Sequence, residues 1–175
     1  DTVTISGTVT STSGDVTLDL GNDSEADSLT ISAAIRSAND LSILKPVASD
    51  ISSNTGALTL STTAAGTLTA ARNVIITAGD GSDQLTILGA ISAPAGVVLV
   101  TPNDGSGITA QVLSFTAGGV TAGDDFIISA TGTVPTTLLM TGTMTVTDAM
   151  SVTLGSGAQG RLAPLAAFLA KRKPS

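Results

Sequence analysis

The sequence predicts an all-β fold: a right-handed parallel β-solenoid of about six coils, followed by a short C-terminal helix or tail. Three observations carry this. Apolar-x-apolar triplets recur at nearly constant spacing along the chain. The apolar residues are mostly small aliphatics, with three Phe, no Tyr and no Trp among 175 residues. Thr, Ser and 19 Gly fill the positions between them, with Asn and Asp at the expected corners. β-branched residues punctuated by turn formers favour strands. A compact globule of this size fills a wide core with aromatics, whereas Ala, Val, Ile and Leu suit the narrow interior of stacked coils.

The first strand of each coil is read from Val3-Thr4-Ile5, Leu29-Thr30-Ile31, Leu58-Thr59-Leu60, Leu85-Thr86-Ile87, Val112-Leu113-Ser114 and Leu138-Leu139-Met140. Successive starts lie 26, 29, 27, 27 and 26 residues apart, and a period in this range marks a solenoid. A second column holds Val9, Ile35, Leu68, Ile91, Val120 and either Met144 or Val146. The third strands are read as Val16-Thr17-Leu18, Leu41-Ser42-Ile43, Val74-Ile75-Ile76, Val97-Val98-Leu99, Phe126-Ile127-Ile128 and Val152-Thr153-Leu154. Side chains alternate across a strand, so the outer two residues of each triplet face one interior. The corner before the third strand carries Asp15, Asp40, Asn73, Gly96, Asp124 and Asp148, residue types that tolerate a left-handed backbone. At about 4.8 Å per coil the stack is expected to stand about 29 Å tall. The competing β-sandwich requires tight turns every 8–12 residues. The two Asp-Gly pairs, Asp80-Gly81 and Asp104-Gly105, fall instead between coils.

Two regions follow: residues 1–160 as the solenoid, with repeats of about 27 residues, and 161–175 as a basic and apolar cap or docking tail. In that tail Leu165, Phe168 and Leu169 fall at helical spacing, and Lys171, Arg172 and Lys173 suit a helix C-terminus. It is expected to cap the last coil or to dock on a partner. The chain opens at Asp1 directly in strand-like sequence with no signal-peptide pattern, as expected of a processed or excised piece of a longer protein. The middle residues Ile75, Val98 and Ile127 should then face outward as an apolar stripe, an expected interface. A one-residue slip of register would turn them inward instead.

Composition narrows the chemistry. Net charge is −7, and all 14 acids lie before residue 161 with only Arg36, Lys45 and Arg72 as counter-charges. Nucleic-acid binding needs a basic surface and is not expected. No stretch reaches the roughly 20 apolar residues of a transmembrane helix. The absence of His and Cys removes the usual neutral-pH acid–base group, the commonest metal ligand and any disulfide. No catalytic residues and no cofactor are expected. Ala78–Leu85 resembles a single turn of a calcium-binding nonapeptide repeat, so Asp80 and Asp83, with Asp23 and Asp27 at the same level, are weak calcium candidates. Solvated acidic loops are the simpler reading.

The stretches Val3–Leu18, Leu29–Ile43 and Leu58–Ala78 resemble filamentous-haemagglutinin-type exoproteins and related bacterial β-strand-repeat surface proteins. The resemblance covers roughly residues 1–155. It implies secretion to the bacterial cell surface, a fibrous stalk, and adhesion or self-association. The expected function is therefore a non-enzymatic structural or adhesive solenoid. Its expected partners are itself or further coils end to end, and cell-surface glycans or a receptor. The alternatives are a carbohydrate-active β-helix and, behind it, an ice-binding solenoid built on the outward threonines Thr4, Thr30, Thr59 and Thr86.

Overall fold

The computed structural model describes residues 1–21, 25–45, 56–79, 81–102, 111–115, 118–130, 135–154 and 168–170. The chain winds through three strands per coil. The first coil is β1 (Thr2–Ile5), β2 (Val9–Thr10) and β3 (Val16–Asp19). The second is β4 (Asp27–Ile31), β5 (Ile35–Ser37) and β6 (Leu41–Leu44), and the third β7 (Leu58–Thr62), β8 (Leu68–Ala70) and β9 (Val74–Thr77). The fourth is β10 (Gln84–Ile87), β11 (Ile91–Ala93) and β12 (Val98–Thr101), and the fifth β13 (Gln111–Phe115), β14 (Val120–Ala122) and β15 (Phe126–Ser129). The sixth is β16 (Thr136–Met140), β17 (Met144–Val146) and β18 (Met150–Thr153), after which β19 (Phe168–Ala170) follows. Each strand pairs in parallel with the equivalent strand of the next coil, giving three sheets. Strands adjacent in sequence lie in different sheets, so the hairpin pairing of a sandwich is excluded and the parallel solenoid stands. Six rungs give five coil-to-coil steps.

The core is a set of vertical ladders. In the first sheet Leu29, Leu60, Leu85, Leu113 and Leu138 stack in register and are buried. In the second, Ile35, Leu68, Ile91, Val120 and Met144 do the same, which settles the sixth member as Met144. The second sheet closes on small residues, Ala70, Ala93 and Ala122. Two of the three Phe meet across the fifth coil, Phe115 from the first sheet and Phe126 from the third, edge to face at 6.0 Å. Such a pair adds to plain area burial.

Several strands differ in register from the sequence reading. The third coil presents Leu60-Ser61-Thr62 where Leu58-Thr59-Leu60 was expected. That two-residue slip keeps parity, so Leu58 and Leu60 both stay inside. The fifth coil presents Leu113-Ser114-Phe115. This one-residue slip turns Val112 outward and Phe115 inward. Likewise the fourth coil contributes Val98-Leu99-Val100 to the third sheet, and the sixth Met150-Ser151-Val152. Val98 is therefore a core residue rather than an interface residue, and Leu99 takes the outward position. Over Phe168–Ala170 the expected helix is a strand, β19, added to the open edge of β17. An edge strand offers a row of unpaired backbone groups, and pairing with it outweighs the local helix preference. Leu165 lies outside the described residues.

The corners work differently from the expectation. Among the described residues no non-Gly residue has positive φ. Asp and Asn stand there because their side chains accept hydrogen bonds from the next coil. Asp15 Oδ1 accepts from Asp40 N–H at 3.1 Å, and Asp40 Oδ1 from Asn73 N–H at 3.0 Å. Asn73 Oδ1 accepts from Val97 N–H at 2.9 Å, and Asp125 Oδ1 from Ala149 N–H at 2.9 Å. Asn73 Nδ2 also donates to Asp40 Oδ1. Each side chain thus satisfies a donor that a turning backbone leaves over. Asn73→Ala is expected to cost about 1–2 kcal/mol, read as a lower urea midpoint with an unchanged m-value.

Candidate functional site

The most unusual chemistry lies inside the stack, where the third sheet turns back into the first. Strand parity brings it there. Leu41 and Ile43 face inward along β6, so Lys45 follows them in, and Asp27 precedes Leu29 and Ile31 on β4 in the same way. Lys45 Nζ lies 2.6 Å from Asp27 Oδ2, with side-chain exposures of 1% and 0%. Asp27 Oδ1 accepts a hydrogen bond from the nitrogen of Asp1 at 2.6 Å. Lys45 runs beside Gly79, where a Cβ would stand 2.9 Å from Lys45 Cγ and overlap the Gly56 carbonyl. Gly79 therefore makes room for the lysine. A second buried carboxylate, Asp83, stands two coils further along the same inward column and accepts from Leu58 N–H at 2.8 Å.

This placement revises the calcium candidates. Asp27 and Asp83 are not loop acids but inward residues engaged with protein partners. Asp23 and Asp80 lie outside the described residues. The structure instead gathers Asp124, Asp125 and Asp148, whose ligand atoms lie within 4.8 Å of one another. Asp148 enters from the following coil, so no local motif announces the group. Asp125 is already occupied as the corner acceptor for Ala149, and Asp148 N–H donates to the Asp124 carbonyl. Corner hydrogen bonding thus accounts for one carboxylate of the three, and an exposed acidic group of this kind is not by itself a metal site.

The outer faces carry almost no charge. On the third sheet, Ile75, Leu99 and Ile127 stack as a half-buried aliphatic stripe, with Leu99 in the place expected for Val98. Beside it Thr101 Oγ1 donates to Thr77 Oγ1 at 3.2 Å. On the first sheet Thr4, Thr30, Ser61, Thr86 and Ser114 form one outward column, ending at Leu139. Thr59 belongs to the neighbouring column with Ser28 and Gln84. The threonines of the sequence reading are therefore split between two columns.

The two ends of the stack are unequal. In the first coil the inward residue Val3 is 39% exposed, and Ile5, Val9 and Leu18 are only partly buried. In the sixth coil Leu138, Met140, Met144 and Val146 are buried while Met150 and Val152 are partly buried, and β19 pairs over β17. Among the described residues no helix is long and apolar enough to cross a membrane. Comparison with protein families, with curated proteins and with solved structures finds no match to this chain.

Proposed function

We propose that the chain is a structural segment of a surface stalk or filament, extended by stacking a further β-coil on its first-coil face. The observation that carries this is the exposure of Val3, in register with Leu29 and Leu60, which are fully buried one and two coils further in. A core column that opens to solvent at one end is completed by another rung of the same kind. The edge strands β1 and β3 offer it parallel backbone partners. The resemblance to filamentous-haemagglutinin-type exoproteins supports the same reading and adds the cell surface as the place, with adhesion as the use of the stalk. No arrangement of acids and bases in the described residues favours polysaccharide cleavage over this structural role.

Sedimentation and electron microscopy of the purified chain test the proposal. End-to-end association that grows with concentration is expected. Val3→Lys, which places a charge on the open column and leaves coils two to six untouched, should abolish it. Concentration-independent compact monomers would reject self-assembly through this face.

A further inference from the structure

We propose that the sixth coil is a site of reversible methionine oxidation, entered at Met150. The chain has three methionines, and all three belong to this coil. Each comes from a different sheet: Met140 from β16, Met144 from β17 and Met150 from β18. All three occupy inward positions, Met140 and Met144 buried and Met150 partly buried. The earlier coils show that the fold does not need thioethers at these positions. Ile91 and Val120 precede Met144 in its column, and Val98 and Phe126 precede Met150. Met140 follows Phe115 in register, as Met150 follows Phe126. Two of the thioethers therefore lie one rung beyond the two members of the edge-to-face ring pair. Thioethers suit irregular gaps and aromatic neighbours. In a chain without Cys they are also the core side chains that a peroxide turns polar.

The step is a two-electron oxidation by hydrogen peroxide. The O–O bond breaks, one oxygen bonds to Sδ, and the other leaves as water with both hydrogens. Sulfur is oxidised and the peroxide is reduced. Met150 meets the oxidant first, because it alone of the three is only partly buried. The sulfoxide oxygen is a strong acceptor placed in an apolar layer, where burial without a donor is costly. The modified side chain leaves the interior, and β18 loosens. That opens Met140 and Met144 to the same reagent. Met144 stands in register with Phe168 of β19, so loosening of the coil also releases β19. A methionine sulfoxide reductase returns the thioethers, which makes this coil a switch and leaves the other five as its fixed support.

The test is a hydrogen peroxide titration of the folded chain, followed by peptide mass mapping and amide hydrogen exchange. Met150 should gain its oxygen ahead of Met140 and Met144. In the oxidised protein the amides of β16, β17 and β18 should exchange about tenfold faster or more, while those of β10, β11 and β12 keep their rates. Treatment with a methionine sulfoxide reductase should restore slow exchange. Met150→Leu is a volume-conserving change, and slow exchange of the untreated variant confirms that it folds. At the same peroxide dose it should keep Met140 and Met144 reduced. The proposal is overturned if all three methionines oxidise together at the rate of the urea-unfolded chain. Unchanged exchange after oxidation overturns it too, as does a loss of protection that the reductase does not reverse. So does a Met150→Leu variant whose remaining methionines oxidise as fast as in the wild type.

Discussion

Lys45→Met is expected to lower unfolding free energy by about 3 kcal/mol, the lower end of the cost of removing one partner from a buried ion pair. Methionine fills the space of the lysine stem beside Gly79, so packing changes little. What changes is Asp27, whose carboxylate stays fully buried, loses the lysine from Oδ2 and keeps the Asp1 nitrogen on Oδ1 at 2.6 Å. The second substitution, Asp27→Leu, removes that half-compensated carboxylate. The double variant should therefore be more stable than Lys45→Met alone, a strongly non-additive pair. Urea denaturation of the two single variants and the double variant measures this. Equal stability of Lys45→Met and the wild type would show that the pair contributes nothing to the fold.

Gly66→Ala is the second large effect, for a steric reason. Gly66 turns the chain between β7 and β8, where its N–H donates to the Thr63 carbonyl at 3.0 Å. An added Cβ would overlap the Ile31 carbonyl oxygen of the coil below and press on Thr62 Cβ at 3.2 Å. The same Ile31 carbonyl accepts from Thr63 N–H, so relief by backbone movement disturbs a coil-to-coil hydrogen bond. Thr62 cannot yield freely either, because its hydroxyl accepts from Leu88 and Gly89 N–H, both at 3.0 Å. Overpacking against backbone on one side and a tethered side chain on the other should cost about 3 kcal/mol or slightly more. Gly7, in the first coil, has nothing within 4 Å of its added Cβ. Gly7→Ala should be neutral or stabilise by roughly 0.4–1 kcal/mol, by reducing the freedom of the unfolded chain. Thermal melts of the two variants should diverge in opposite directions.

The architecture was legible because its main signal is parity. Leu85 with Ile87, and Phe126 with Ile128, alternate with outward residues and leave one solution for which side faces in. Where alternation fails, so does register. Val97-Val98-Leu99-Val100 is apolar throughout, and only its partners on β9 and β15 decide that Val98 and Val100 point inward. Leu58 and Leu60 are both inward, so either could open the triplet. The polar corner was hidden for a different reason. Parity alone would have placed Lys45 and Asp27 inside, since 41, 43, 45 and 27, 29, 31 are simple alternations. Charge drew the reading toward the surface instead. The Asx corners were found in sequence but given the wrong cause, because acceptance across coils depends on a neighbour 24 to 33 residues away.

Those corners also give the stack a direction. From Asp15 to Asp40 to Asn73, each side chain accepts from a backbone N–H of the coil that follows, and the N–H of Asp40 and of Asn73 is held by the coil that precedes. A rung laid on the first-coil face is therefore best matched by a short acceptor in line with Asp15, although the Gly96 corner of the fourth coil seats its neighbour through a backbone carbonyl instead. An incoming coil with Asp or Asn there would seat in one polarity and one register, while an aliphatic residue would leave the Asp15 N–H unmet. The corner thus acts as a compatibility code, selecting which segments can join this end and in which orientation.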